Sequence, residues 1–115
     1  MAFDPGLAQL LRDDLAGEAV VETAMFGGLC FLAGGHMICG LHKGGTMYRI
    51  GKDRYAEALA LPGVRAMQMG ARTMAGMVTL SLEDSAEDRL RGPVLAMARA
   101  VVRALPPKVA KPKKG

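Results

Sequence analysis

A chain of 115 residues is about one domain long, which excludes a multi-domain machine. Half of it is apolar and 23% is charged, the balance of a globular protein able to fold without a disulfide or a metal. The net charge of +4 belongs to one end: Lys108, Lys111, Lys113 and Lys114 are four of fifteen basic residues, and the other eleven balance eleven acidic ones.

The first helix is marked by Asp4 as N-cap and Pro5 at the first helical position, where a missing N–H costs nothing. Leu7, Leu10, Leu11 and Leu15 follow at helical spacing, and Gly17 ends the run. A short extended piece around Val20 and Val21 leads to Met25-Phe26-Gly27-Gly28, a tight entry into a β region. Three strands are then expected, Leu29 to Ala33, His36 to Lys43 and Thr46 to Gly51, with Gly34-Gly35 and Gly44-Gly45 as two-residue turns. Such turns pair Cys30 with Cys39 and Leu41 with Tyr48. One face then carries Cys30, Leu32, Met37, Cys39, Leu41, Tyr48 and Ile50, apolar throughout and assigned to the core. The other carries Phe31, Ala33, His36, Ile38, Gly40, His42, Met47 and Arg49; it is either partly solvated or meets another chain. If it stays open, its apolar area favours a symmetric homodimer.

Asp53 is expected to cap a short helix through Tyr55, Ala56 and Leu59, stopped by Pro62-Gly63. Two further strands run from Val64 to Met69 and from Met77 to Leu82. Asp84 or Ser85 caps the last helical region, in which Gly92-Pro93 predicts a kink or a restart. Val94, Ala98, Val101, Val102 and Leu105 form its apolar stripe, and Pro106-Pro107 closes it. The fold class is α+β: two layers in the order α-β-β-β-α-β-β-α, with a largely antiparallel five-stranded sheet packed against helices. Residues 1–107 form a single domain, and 108–115 form a lysine-rich tail expected to be disordered.

Cys30, His36, Cys39 and His42 have the donor types of a tetrahedral zinc site. The expected register puts the cysteines on one face and the histidines on the other, so no metal site is read. A Cys30–Cys39 disulfide is sterically conceivable but unneeded in a reducing compartment. Neither histidine shares the cysteines' face, and Ser81 and Ser85 have no evident partner, so no catalytic residue is assigned. The glycine pairs open no phosphate-binding helix, and no cofactor is implied. Phe31, Tyr48 and Tyr55 are too scattered for an RNA-binding aromatic platform. Met67, Met69, Met74 and Met77 cluster; such residues either line a pliable binding surface or, more often, fill core space. Glycines interrupt every apolar run before the roughly 18 residues of a membrane span, so no membrane partner is expected. The N-terminal residues lack the basic and apolar run of a secretion signal, so a cytoplasmic location is expected.

Met25-Phe26-Gly27-Gly28-Leu29, then Gly35-His36-Met37, then Tyr48 and Arg49-Ile50-Gly51, resemble the N-terminal domain of the TfoX/Sxy family. Ala58-Leu59, Pro62-Gly63, Met69, Arg72, Met74, Gly76 and Val78 continue the likeness, and Leu105-Pro106-Pro107-Lys108 resembles the ending of its single-domain members. The resemblance spans roughly residues 10–108. Ala71 stands where the family usually has glycine, and Met97 where tryptophan is frequent. The resemblance implies an α+β fold and a link to regulation, since the founding members regulate natural competence. Those regulators carry a C-terminal domain, and this chain reads as a single-domain member without it. Met25, Phe26, Gly27, Gly28, Gly35, His36, Met37, Arg72, Met74 and Gly76 are the motif positions, structural or interacting. Arg72 is expected to be buried and to fix a turn through backbone carbonyls.

The function expected first is therefore a small non-enzymatic module, regulatory or protein-interacting, contacting an unknown protein partner through the mixed sheet face or the methionine-rich strands. Second comes an accessory nucleic-acid binder that makes weak, non-specific contacts through Lys108, Lys111, Lys113 and Lys114. An enzyme comes third, because no acid, base and nucleophile converge.

Overall fold

Asp4 does open the first helix. Its Oδ1 accepts from the Gly6 amide at 2.7 Å, and Pro5 takes the first position of α1 (Pro5–Asp14). Leu7, Ala8 and Leu11 are its buried stripe, Leu15 at the C-cap is buried as well, and Gly17 leaves at φ +94°. The computed structural model describes residues 4–25 and 27–105. Phe26 and the four tail lysines lie outside the described residues.

Six strands, one more than expected, form a single antiparallel sheet in the order β1-β2-β3-β4-β6-β5. They are β1 (Val21–Met25), β2 (Gly28–Ala33), β3 (His36–His42), β4 (Gly45–Arg49), β5 (Arg65–Met69) and β6 (Arg72–Ser81). The added strand is the extended piece after Val20, which pairs along β2 from Val21 opposite Leu32 to Met25 opposite Gly28. Val21 and Thr23 are β-branched, and the strand is a short edge carrying one charge, Glu22.

Two register corrections decide which side chains meet the helices. Across β2 and β3, Ala33 faces His36 and Leu32 faces Met37, as a Gly34-Gly35 turn requires. Then Phe31, not Cys30, faces Cys39, which leaves Ile38 as one extra residue in β3. This bulge flips the alternation, so Cys30 lies opposite Gly40 and on the other face from Cys39. The second hairpin turns on Lys43-Gly44, with His42 facing Gly45 and Cys39 facing Tyr48. A shift of two residues from the expected pairing preserves the faces. The reason lies in a later strand: Gly45 sits at φ +138° beside β6, where a Cβ would come within 2.0 Å of the Leu80 carbonyl oxygen. The turn itself is held by His42, whose Nδ1 accepts from the Gly44 amide at 3.0 Å.

The later helices also depart from expectation. α2 (Tyr55–Leu59) follows Arg54, and Asp53 does not cap it. Ser81 caps α3 (Leu82–Ser85), its Oγ accepting from the Asp84 amide at 3.1 Å. α4 (Asp88–Arg103) starts after Glu87 and runs through Gly92-Pro93 as one helix, so Pro93 neither restarts nor ends it. Proline forfeits one helical hydrogen bond there, while Leu90, Val94, Leu95, Ala98 and Val102 are buried along the same helix.

The buried arginine is Arg91, not Arg72, which is exposed. The Arg91 side chain is 3% exposed; its Nε donates to Asp14 at 2.7 Å and its Nη1 to the Ser85 carbonyl at 3.0 Å, while Nη2 reaches Asp88. The hydrogen bond to Asp14 raises its pKa further despite burial, so α1 and α4 are clasped by a permanent charge. Beneath the clasp runs a buried relay. Tyr48 Oη donates to Thr46 Oγ1 at 2.9 Å, Thr46 Oγ1 lies 2.8 Å from Ser85 Oγ, and Ser85 Oγ donates to the Leu80 carbonyl at 3.2 Å. Ser85 Oγ also accepts from the Thr46 amide at 3.0 Å. Every buried hydroxyl in the relay is thereby satisfied.

The main core lies between helices and sheet, with Leu7, Leu11, Phe31, Ile38, Leu41, Tyr48, Val78, Leu80, Val94 and Ala98 among its members. Phe31 and Ile38, expected on the mixed face, belong to this core. Cys30, Leu32 and Met37, expected in the core, belong to the other face.

Candidate interaction surface

The second cluster contains Cys30, Met47 and Met67, with Leu32, Met37, Met74 and Met77 partly buried against them. All seven lie on strands, β2 to β6, and among the described residues no helix contributes to it. Period-two alternation assigns this face its other members. Thr23 faces Cys30, Val21 faces Leu32, and Thr79 faces Met47. Arg65 stands two residues before Met67, and Arg72 two before Met74; both arginines are exposed. Val21 is 65% exposed. A face of this make-up is neither a solvated sheet surface nor a closed core: five of the seven clustered side chains are methionines, unbranched and readily re-oriented.

The bend that brings Met74 and Met77 to one side comes from β6. Between the pairs Ala66–Val78 and Gln68–Thr73, one residue of β5 faces four of β6. Gly76 lies in that segment at φ +85°, and its carbonyl accepts from the Ile50 amide at 2.8 Å and the Gly51 amide at 3.0 Å. A Cβ on Gly76 would come within 3.2 Å of Gly51 Cα. Glycine here permits a close backbone approach, which locks the excess of β6 onto the end of β4.

Thiols and imidazoles are divided differently from expectation. Cys39 is in the main core and Cys30 in the strand cluster, both as free thiols. Burial pushes both thiols up, Cys39 far out of the range in which a thiolate forms. His42 shares the open face with Thr79, its Nε2 at 3.5 Å from Thr79 Oγ1, and burial lowers its pKa. His36 lies beside Arg49, with Nδ1 at 3.5 Å from Nη1. Among the described residues no group of three or more His, Cys, Asp or Glu side chains converges as a metal site.

Two clefts flank the C-terminal end of α4. One, of about 250 Å³, is lined by Glu18, Ala33, His36, Ile38, Arg99 and Arg103 among others. Glu18 binds Arg99 at 2.8 Å and Arg103 as well; burial pushes its carboxyl up, but the two guanidiniums outweigh this and hold it below the usual range. The second, about 580 Å³, lies between residues 49–54 and α4 and carries Arg49, Lys52 and Arg54. Arg54 is paired with Glu57 at 2.9 Å.

The structure scatters the motif positions along the sheet. Met25 ends β1, Gly27 turns at φ +72°, Gly28 begins β2, Gly35 completes the first turn at φ +83° and His36 begins β3, and Met37, Arg72 and Met74 belong to the open face. Alternation already put Cys30 and Met37 on one face but Met47 on the other, and the bulge at Ile38 brings the three together. No helix among the described residues is long and apolar enough to cross a membrane. A family model of the TfoX N-terminal domain matches residues 11–98, from the last turn of α1 through every strand to most of α4. No match was found among curated proteins or solved structures.

Proposed function

The chain belongs to the TfoX N-terminal domain family, and from that membership together with the open sheet face we infer that it is a non-enzymatic regulatory module that binds another protein. The observation that carries this reading is the strand-only cluster: Leu32, Met37, Met74 and Met77 are left partly exposed on a face that no described helix covers. Pliable apolar surfaces of that kind serve protein recognition. The nucleophile candidates support the non-enzymatic half. Cys39 is sealed with its thiol pushed up, and the Ser85 hydroxyl is committed to Thr46 and Leu80.

Affinity capture with the full chain tests it, comparing wild type with the double variant Met37→Asp, Met74→Asp. Both positions are partly exposed, so circular dichroism should show a retained fold. Loss of the captured protein set in the double variant supports the reading, and an unchanged set overturns it.

The second reading, weak nucleic-acid binding by the tail, rests on the four lysines within residues 108–115. Removing those residues should leave stability unchanged and abolish duplex binding. Four phosphate contacts correspond to a salt slope of about −3.6 in the full chain. Tight, selective DNA binding by the truncated protein would transfer the activity to the folded part.

A further inference from the structure

The six strands contain one carboxylate, Glu22. It stands opposite the buried Phe31, which places it on the helix side of the sheet, and α1 holds it there through Arg12, whose Nε donates to it at 2.6 Å. The open face therefore carries no acidic strand residue, whereas Arg65 and Arg72 flank its methionines and have no carboxylate partner among the described residues. We propose that this face docks an acidic amphipathic helix of a partner protein, methionines receiving its apolar stripe and Arg65 and Arg72 its carboxylates. The proposal rests on the interaction-module reading and names the partner's chemistry.

Three physical arguments select this occupant. The apolar side chains spread over five strands, β2 to β6, so the occupant lies across the face rather than along an edge. A segment lying there cannot hydrogen-bond its backbone to the sheet and must satisfy it internally, which a helix does. A single-stranded nucleic acid would find cations but no stacking surface, since Phe31 and Tyr48, the aromatic residues of the described strands, are both 0% exposed in the main core. A second copy of the chain, docked face to face, would offer Arg65 and Arg72 no carboxylate, since the open face carries no acidic strand residue.

The test uses the full chain and a fluorescent synthetic peptide of about five helical turns, with leucines on one stripe and glutamates elsewhere. A matched peptide carries lysines in place of the glutamates, and an oligothymidylate serves as the nucleic-acid probe. The glutamate peptide should bind, more weakly as salt rises, and at least about tenfold more tightly than the lysine peptide. In Arg65→Glu, Arg72→Glu that preference should reverse, which a merely structural role of the arginines would not produce. Equal binding of both peptides, or a preference unchanged by the reversal, would overturn the proposal. So would oligothymidylate binding that Arg65→Glu, Arg72→Glu removes while the glutamate peptide fails to bind. A dimer in sedimentation that Met37→Asp dissociates would overturn it in favour of self-association. If the glutamate peptide fails yet Met37→Asp, Met74→Asp still loses its captured protein, the charge argument falls and the module reading stands.

Discussion

The two faces of the one sheet are built from similar residues and held by different forces. On the helix side, Tyr48, Thr46 and Ser85 are linked by hydrogen bonds and Arg91 is clasped by Asp14, so apolar packing is supplemented by fully satisfied buried polar groups. On the other side, the methionine cluster has packing alone, supplied largely by unbranched methionines from neighbouring strands. Buried polar networks specify one arrangement, because any other leaves a group unpaired. A methionine surface specifies little and adapts. The difference teaches that the sheet's rigidity is imposed from one side, leaving the opposite face free to conform.

The sharpest way to break this contrast is Arg91→Ala. It strands Asp14, which is 26% exposed, and should cost about 3 kcal/mol in urea unfolding, the lower end for a broken buried pair whose partner retains some water. A loss no larger than that of a surface substitution would remove the clasp from the account. Ser85→Ala leaves the Thr46 amide and hydroxyl short of a partner and should cost about 1–3 kcal/mol, read as a lower denaturation midpoint with an unchanged slope. On the open face Met74→Ala should cost less than either, under about 1 kcal/mol, since the side chain is only partly buried and the site can collapse. If Met74→Ala matched Arg91→Ala, the two faces would be energetically equivalent.

The smallest effect is on pH dependence. Burial lowers the His42 pKa, and Nδ1 must stay unprotonated to accept from the Gly44 amide. The unfolded chain therefore takes up the proton first. The stability due to His42 is complete above about pH 6.5 and declines as pH falls towards its folded value. His42→Asn, which can still accept from Gly44, should flatten that part of a melting-temperature profile. Below it a second decline remains, because the carboxyls of Glu18 and Glu22 are held down by arginines. A profile unchanged by His42→Asn would place the upper decline elsewhere.

How far the sequence could be read depended on the range of the responsible interaction. Asp4 and Pro5 act within three residues of α1, and Gly34-Gly35 acts at its own turn, so both were legible. Ile38 was not. Leu29 to Leu32 and Met37 to Leu41 are apolar or small at every position, so alternation cannot reveal that one residue is extra. Gly45 looked like a turn residue, yet its glycine is required by the Leu80 backbone of a strand far along the chain. Nothing near Arg91 in sequence marks it for burial, because its partner Asp14 lies far away along the chain. The candidate surface suffered most, since its membership turns on the bulge. Its methionines were noticed in the second half of the chain, but Cys30, Met37 and Met47 could join them only after the register was known.

The clasp between Asp14 and Arg91 has a consequence for the order of events at the ribosome. α1 is made first and α4 after every strand, and each supplies a share of the same core. Glu18 likewise waits for Arg99 and Arg103. The nascent sheet must therefore leave the exit tunnel with the part of its helix side on which α4 packs, along β3 and β4, uncovered until that helix emerges. Chains stalled before that point display two sticky faces instead of one, and these are the species that chaperones should engage.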